Sequence, residues 1–248
     1  MNKNYYGYLC TLMYEALHKD APEDELSFYL SYANKNQKIL EPLCGSGRFM
    51  VPFLNNGFDI SGIDLSKEML SKLKEKAPKA TIFNCDILKF ESSTKYDYIF
   101  ITSGSVSLFT DLNLLREILF KIKTLLSNDG IFVFAVDTIS NRCNDDKEYL
   151  ESIRVKIKDG QEIVLNTKNY FDESTSTQYS PGIYQLYKND VLLEEEKMEF
   201  ETHLYKFNEM EKLLNEAGFK NIKCYSSFDK NTAINDNCEM FLYECMKW

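Results

Sequence analysis

The sequence predicts an α/β protein built on an open, doubly wound, mostly parallel sheet. Three observations carry that prediction. Short apolar runs alternate with amphipathic segments from residue 38 to residue 138, at the pace of successive βαβ units. The run YDYIFITS (96–103) is apolar on both of its alternating faces, as a strand covered by helices on two sides requires. The first apolar run, KILEPL (38–43), leads straight into Gly45-Ser46-Gly47, the strand–turn–helix entrance of a doubly wound sheet.

Taken in order, the first 37 residues read as two helices. Tyr6, Leu9, Met13, Ala16 and Leu17 recur at intervals of three and four, as do Leu26, Tyr29 and Leu30. Pro22 is expected in the first turn of the second helix. After the strand at 38–43, RFMVPFLNNG (48–57) predicts a helix stopped near Gly57. FDISGID (58–64) is the second strand and LSKEMLSKLKEKA the second helix of the alternation. ATIFNCD (80–86) and YDYIFITS (96–103) are the third and fourth strands, LNLLREILFKIKTLL (112–126) a long amphipathic helix, and GIFVFAVDT (130–138) the fifth strand. The period then changes from helical to two. Between 150 and 206, alternating runs are separated by Asp159-Gly160, Pro181-Gly182 and Asn189-Asp190, turn pairs that predict antiparallel hairpins. FNEMEKLLNEAG (207–218) returns to helix, and FKNIKCYSSF and EMFLYECMKW supply two last strands. The expected organisation is a helical lid at 1–37, a parallel core at 38–149 and 205–248, and an antiparallel insertion at 150–204 that covers the site.

Composition narrows the function classes. Apolar residues at 44% and aromatics at 14% suffice for the core of one large domain. No apolar run is long enough for a membrane span, and the N-terminus lacks the pattern of a signal peptide. Seven cysteines, with no C-x-x-C pair, and only two histidines fit reduced thiols in a cytoplasmic protein better than a disulfide frame or a metal centre. A net charge of −9 opposes nucleic acid as a partner. The lysines of SKEMLSKLKEKAPK (66–79) alternate with Met69, Leu70 and Leu73 as a solvated helix face does. A small-molecule or protein substrate is expected.

The glycine turn narrows them further. Amides at the start of a helix favour electron-rich groups, and a dinucleotide site requires G-x-G-x-x-G. Here the third glycine position is Met50. Glu41, at the end of the first strand, would repel a pyrophosphate but attract an ammonium, through a charge-assisted hydrogen bond worth roughly 1.5–3 kcal/mol. Asp64 closes the second strand, where a carboxylate can accept from both ribose hydroxyls. Asp86 closes the third, placed to accept from an adenine amino group. For Asp64 and Asp86 the alternative is an ordinary helix cap. An ammonium, a ribose and an adenine in one ligand describe S-adenosylmethionine.

The run LEPLCGSGRF…GFDISGIDLSKEML…ATIFNCDI…KYDYIFITSGSVSLF…LLSNDGIFVFAVDT resembles the class I S-adenosylmethionine-dependent methyltransferases over roughly residues 38–140. The resemblance implies a Rossmann-like, seven-stranded sheet. It matches the first family motif to Glu41, Cys44, Gly45 and Gly47, with Leu43 where the family usually has a glycine. It matches the second acid to Asp64, with Leu65 and Met69 as apolar neighbours of the adenine, and the adenine-edge pair to Asp86 and the backbone amide of Ile87. Ser103 falls at the strand end that passes beneath the methionine part. LMYEAL resembles the lid element of small-molecule members, in which Tyr14 would cover the cofactor; an aromatic on a core-facing helix is the alternative.

Methyl transfer from a sulfonium requires alignment and exclusion of water more than a particular catalytic residue. The fourth strand ends in ITSGSVSLF, without the Asn/Asp-Pro-Pro-aromatic tetrapeptide of amino-directed nucleic-acid enzymes. His203 is the candidate general base if the face it shares with Glu201 and Tyr205 looks into the site; otherwise it is a surface histidine. Asp137 either touches substrate or caps the loop that follows it. Glu194-Glu195-Glu196 is expected to be a solvated strand end. The sequence therefore predicts a methyltransferase for a small-molecule acceptor. A nicotinamide-dependent oxidoreductase and a non-catalytic S-adenosylmethionine-binding module are the alternatives.

Overall fold

The computed structural model describes residues 4–248. Its centre is a seven-stranded sheet assembled from β1 (Lys38–Pro42), β2 (Asp59–Asp64), β3 (Thr81–Asn84), β4 (Tyr96–Ile101), β5 (Leu126–Asp137), β13 (Lys220–Tyr225) and β14 (Met240–Met246). The order across the sheet is β13-β14-β5-β4-β1-β2-β3. β14 alone runs against its neighbours β5 and β13, and β1 through β5 pair in parallel. The chain reverses its direction of travel across the sheet between β1 and β4, which opens a crevice at their carboxyl ends.

Alternation within the strands builds two cores. Leu40, Ile99, Ile101, Phe132 and Phe134 point to one face, where α5 (Leu112–Leu125) presents Leu115, Ile118, Leu119 and Ile122, and α6 (Glu209–Glu216) presents Met210 and Leu213. Ile39, Tyr98, Phe100, Val133 and Ala135 point to the other, against α3 (Met50–Asn55) and α4 (Lys67–Lys76). The expectation that 96–103 is buried on both faces rests on this alternation. The N-terminal helices divide between two tasks. In α2 (Glu23–Leu30), Phe28 and Tyr29 join the second core; the Tyr29 hydroxyl donates to the Ile101 carbonyl at 3.2 Å. Pro22 is the residue before the first turn of α2, one position earlier than expected. By contrast, α1 (Tyr8–Leu17) leans on the insertion through Leu9 and Met13, which meet Ile163, Leu165 and Leu186.

The insertion forms two antiparallel sheets. One has the order β11-β10-β7-β6, from β6 (Leu150–Lys156), β7 (Gln161–Thr167), β10 (Gly182–Lys188) and β11 (Val191–Met198); the other is β12-β9-β8, from β8 (Tyr170–Asp172), β9 (Thr177–Tyr179) and β12 (Glu201–His203). Asn189 and Asp190, both at positive φ (50° and 62°), turn β10 into β11 with the handedness a two-residue hairpin needs. Pro181-Gly182 is not a hairpin turn: Gly182 is the first residue of β10, paired with Thr167 and Met198. The reversal comes earlier, at 173–176, and creates β9 from a polar stretch with no strand signal of its own.

Glu196 is not simply a solvated strand end. Its carboxylate accepts from the amides of Leu9 (3.1 Å) and Cys10 (3.2 Å), capping the first turn of α1, whose own N-cap, Gly7, has no side chain for that task. Glu196→Ala is expected to cost about 1 kcal/mol and to speed amide exchange selectively in α1. Unchanged exchange at Leu9 and Cys10 would remove Glu196 from the support of that helix.

Candidate active site

The carboxyl ends of β4, β1, β2 and β3 lie side by side, and each hands one predicted residue to the same edge. Neighbouring strands are about 4.8 Å apart, so Ser103, Glu41, Asp64 and Asp86 span three strand spacings along the crevice.

Glu41 is 2% exposed, and its Oε2 is buried without a hydrogen-bond partner among the described residues. Burial, reinforced by the negative charges of Asp64 and Glu25, pushes its carboxyl well above the ordinary carboxylate range. An unpaired buried acceptor with acids on both sides is costly in isolation; a cationic hydrogen-bond donor would relieve it. Asp64 has the opposite environment. One oxygen accepts from the Gly45 amide and the other from the Ser66 amide, both at 2.8 Å. Burial raises its carboxyl, while these backbone bonds pull the other way. Four lone-pair sites against two donors leave capacity for ribose hydroxyls. The cap of α4 is Ser66, not Asp64, with its Oγ accepting from the Met69 amide. Asp86 does cap the short turn at 87–89, accepting from Leu88 at 2.9 Å.

The turn itself holds three left-handed residues in five: Leu43 (φ 58°), Gly45 (51°) and Gly47 (82°). Leu43 therefore takes, with a side chain, a conformation that glycine adopts freely. The two glycines do different things. A Cβ on Gly45 would meet nothing within 4 Å, so this residue lines open space. A Cβ on Gly47 would fall 2.7 Å from the Leu73 side chain, so this residue lets α4 pack against the turn. Cys44 turns its buried side chain toward Gly62 and offers the crevice only backbone.

Of the predicted adenine neighbours, Leu65 is 55% exposed beside Asp64, whereas Met69 and Ile87 are buried. Tyr14 lies edge-on to Tyr6 and beside His18; burial raises its hydroxyl, and Arg48, which hydrogen-bonds it, lowers it. Ser103 has φ 54°, and its amide donates to Glu25 Oε1 at 2.8 Å. Glu25 is a site residue that the sequence pattern does not single out. It is 5% exposed on α2, with a carboxyl raised by burial, and it ties the N-terminal helices to the end of β4. Its sequence signal is an acid three and four residues before the core aromatics Phe28 and Tyr29.

His203 requires a correction. A cavity of about 250 Å³ lies between the ends of β4 and β5 and the β12-β9-β8 sheet, and Phe200, Thr202 and Leu204 line it. The face bearing Glu201, His203 and Tyr205 points the other way. His203 is neither in the cavity nor on the surface: it is 2% exposed, with Nε2 2.8 Å from Glu209 Oε1 on α6 and its ring edge-on to Tyr205. Asp137, in contrast, lines the cavity.

Among the described residues, no group of three or more His, Cys, Asp or Glu side chains is arranged to hold a metal, and no helix is long and apolar enough to cross a membrane. The seven cysteines are free thiols.

Residues 39–130 match the family described as "Methyltransferase domain". A Geobacillus sp. (strain WCH70) protein named a putative methyltransferase is 28% identical over 133 residues, which cover 50% of this chain and 54% of that one; the chain thus spans about half the length of this curated relative. Among solved structures, an S-adenosylmethionine-dependent methyltransferase from Clostridium acetobutylicum superposes with a TM-score of 0.75 at 16% identity, covering 94% of this chain and 96% of that one. The sugar N-methyltransferase KedS8 from Streptoalloteichus sp. also gives 0.75, at 15% identity, over 99% and 95% of the two chains. Sheet order, the acid-and-glycine turn and the matched region agree: the chain has the fold of the class I S-adenosylmethionine-dependent methyltransferases, and its residues 39–130 match the methyltransferase-domain family.

Proposed function

We propose that this protein transfers a methyl group from S-adenosylmethionine to a small polar molecule bound beneath the β12-β9-β8 sheet. The observation that carries this reading is the buried Oε2 of Glu41, which has no hydrogen-bond partner among the described residues. It fits an ammonium-bearing ligand, and it would oppose the pyrophosphate of a nicotinamide cofactor. In this reading Glu41 receives the ammonium, Asp64 the ribose hydroxyls, and Asp86 with the Ile87 amide the adenine edge. Leu65, and Met69 behind it, provide the apolar side. Cys44, Gly45 and Gly47 shape the turn, Ser103 underlies the methionine part, and Tyr14 helps to cover the crevice. S-adenosylmethionine, when bound, supplies an electrophilic methyl group with a neutral sulfur leaving group. The chain's own contribution is to hold the reactants in line and keep water out.

Residues 1–37 act in this reading as a cover, 38–149 with 205–248 as the cofactor-binding unit, and 150–204 as the roof. A small acceptor is supported by the cavity of about 250 Å³ and by a sugar N-methyltransferase among the structural neighbours. The net charge of −9 disfavours a nucleic-acid acceptor, and free thiols suit the reducing cytoplasm. The cavity also favours an enzyme over a module that only senses the cofactor.

Thermal unfolding tests the cofactor. S-adenosylhomocysteine at about 100 times its Kd should add about 2.7 kcal/mol, roughly 5–10 °C for a chain of this length, while NAD should leave the midpoint unchanged. The opposite pattern would replace this reading with a nicotinamide-dependent one.

A further inference from the structure

Among the described residues, the acceptor cavity has one carboxylate and no cation. Asp137, the last residue of β5, is its only acidic lining residue, and no lysine, arginine or histidine lines it. Its carboxylate has a single hydrogen-bond partner among the described residues, Asn141 Nδ2 at 3.3 Å. The backbone holds the position firmly: the Asp137 amide donates to Ser107 Oγ at 2.8 Å, and its carbonyl accepts from the Tyr205 amide at 2.9 Å. Gly104, at φ 67°, approaches so closely that a Cβ there would come within 2.9 Å of Asp137 Oδ1. The rest of the cavity is rich in hydroxyls and amides, from Ser103, Ser105, Gln178, Ser180 and Thr202.

We propose that Asp137 binds the amino group of the acceptor and takes its proton, so that the chain is an N-methyltransferase for small hydroxylated amines. This rests on the cofactor reading above. An ammonium is drawn to the lone carboxylate, whereas a carboxylate or phosphate acceptor is repelled by it. The N–H bond breaks and its proton passes to an Asp137 oxygen, leaving the nitrogen lone pair free. That pair forms the N–CH3 bond while the methyl–sulfur bond breaks and its electrons stay on sulfur. The product leaves as a methylammonium, and Asp137 returns its proton to solvent.

Proton affinities separate nitrogen from oxygen acceptors. Burial lifts the Asp137 carboxyl to about 6. Amines near 8 to 10 lie a few units above that, whereas an alcohol holds its proton far too tightly for a carboxylate to take it. The titratable groups that face Asp137 are Tyr6, from the N-terminal segment, and Cys143, beyond β5. Burial keeps the Tyr6 hydroxyl neutral.

The test uses labelled S-adenosylmethionine with 2-, 3-, 4- and 6-aminodeoxyhexoses and ethanolamine as acceptors, and with glucose and ethylene glycol as their hydroxyl counterparts. Label should enter amines only. In the wild type, kcat/KM should rise about tenfold per pH unit below about 6 and then level off. Asp137→Asn should lose at least 100-fold in kcat/KM and the acid limb of the profile, with its Kd for S-adenosylhomocysteine within twofold of wild type as proof of folding. Transfer to the hydroxyl compounds, no transfer to any amine despite S-adenosylhomocysteine binding, or full activity in Asp137→Asn would overturn the inference and leave the cofactor reading intact. Failure to bind S-adenosylhomocysteine would overturn both.

Discussion

Glu41→Gln is expected to stabilise the ligand-free protein and to weaken S-adenosylhomocysteine by roughly 10- to 100-fold. Both effects come from one oxygen. Among the described residues no donor reaches the buried Glu41 Oε2, which lies beside Asp64 and Glu25. Making the side chain neutral removes the charge from that position, a gain of about 1–3 kcal/mol by comparison with other unsatisfied buried polar groups. The same change removes the charge that would hold the ligand's ammonium. 5′-Methylthioadenosine, which has no amino-acid part, should bind wild type and variant alike. If it discriminates between them as strongly as S-adenosylhomocysteine does, Glu41 does not act through an ammonium.

The pH dependence follows from the direction of the shift. The Glu41 carboxyl is raised in the folded state, so the folded form binds its proton more tightly than the unfolded chain does. Its contribution to stability is complete below the unfolded carboxylate value of about 4.3 and is lost as pH rises through the folded value. Asp137 adds a contribution of the same sign between about 4 and its folded value of about 6, about 3 kcal/mol on an order-of-magnitude basis. The ligand-free wild type should therefore lose stability across the mildly acidic range, and each neutral variant should flatten its share of that slope.

Asp64→Ala should act in the opposite direction on stability although it too deletes an acid. Each Asp64 oxygen already accepts one backbone bond, from the Gly45 and Ser66 amides at 2.8 Å, tying the glycine turn after β1 to the start of α4. Removing the carboxylate leaves two amides unpaired, at a cost of roughly 2–4 kcal/mol, and lets the turn relax. Binding of S-adenosylhomocysteine should fall about 100-fold, and 5′-methylthioadenosine should now suffer equally, because it keeps the ribose. A denaturation midpoint equal to wild type would show that the turn does not depend on Asp64; retained nucleoside affinity would remove Asp64 from the ribose site. Together the two variants separate an acid that waits for a partner from one that has its partners already.

Elements whose cause is local are legible in the amino-acid order. The alternation from residue 38 onward, the amphipathic periodicity of 112–126 and the Asn189-Asp190 turn depend on residues close in the chain, and strands and helices lie within a few residues of expectation. β9 is not legible in this way, because Thr177, Gln178 and Tyr179 become a strand only by pairing with β8 and β12. Nor is the role of Glu25, whose partner amide at Ser103 is 78 residues away. His203 shows the limit most directly. Alternation correctly separates its face from that of Phe200, Thr202 and Leu204, but which face meets the cavity depends on how β12 docks between β9 and α6.

The amino-acid order by itself determined the parallel sheet, the strand ends that carry Glu41, Asp64 and Asp86, and the likeness to methyltransferases, because side-chain period and turn chemistry act over a few residues. Tertiary packing alone decided that Glu41 Oε2 is buried without a partner among the described residues, that Glu196 caps a helix nearly 190 residues away, and that Asp137 and not His203 faces the cavity. Burial and hydrogen bonding between distant segments are properties of the assembled layers, and a carboxylate's charge, cost and use depend on which of them surround it.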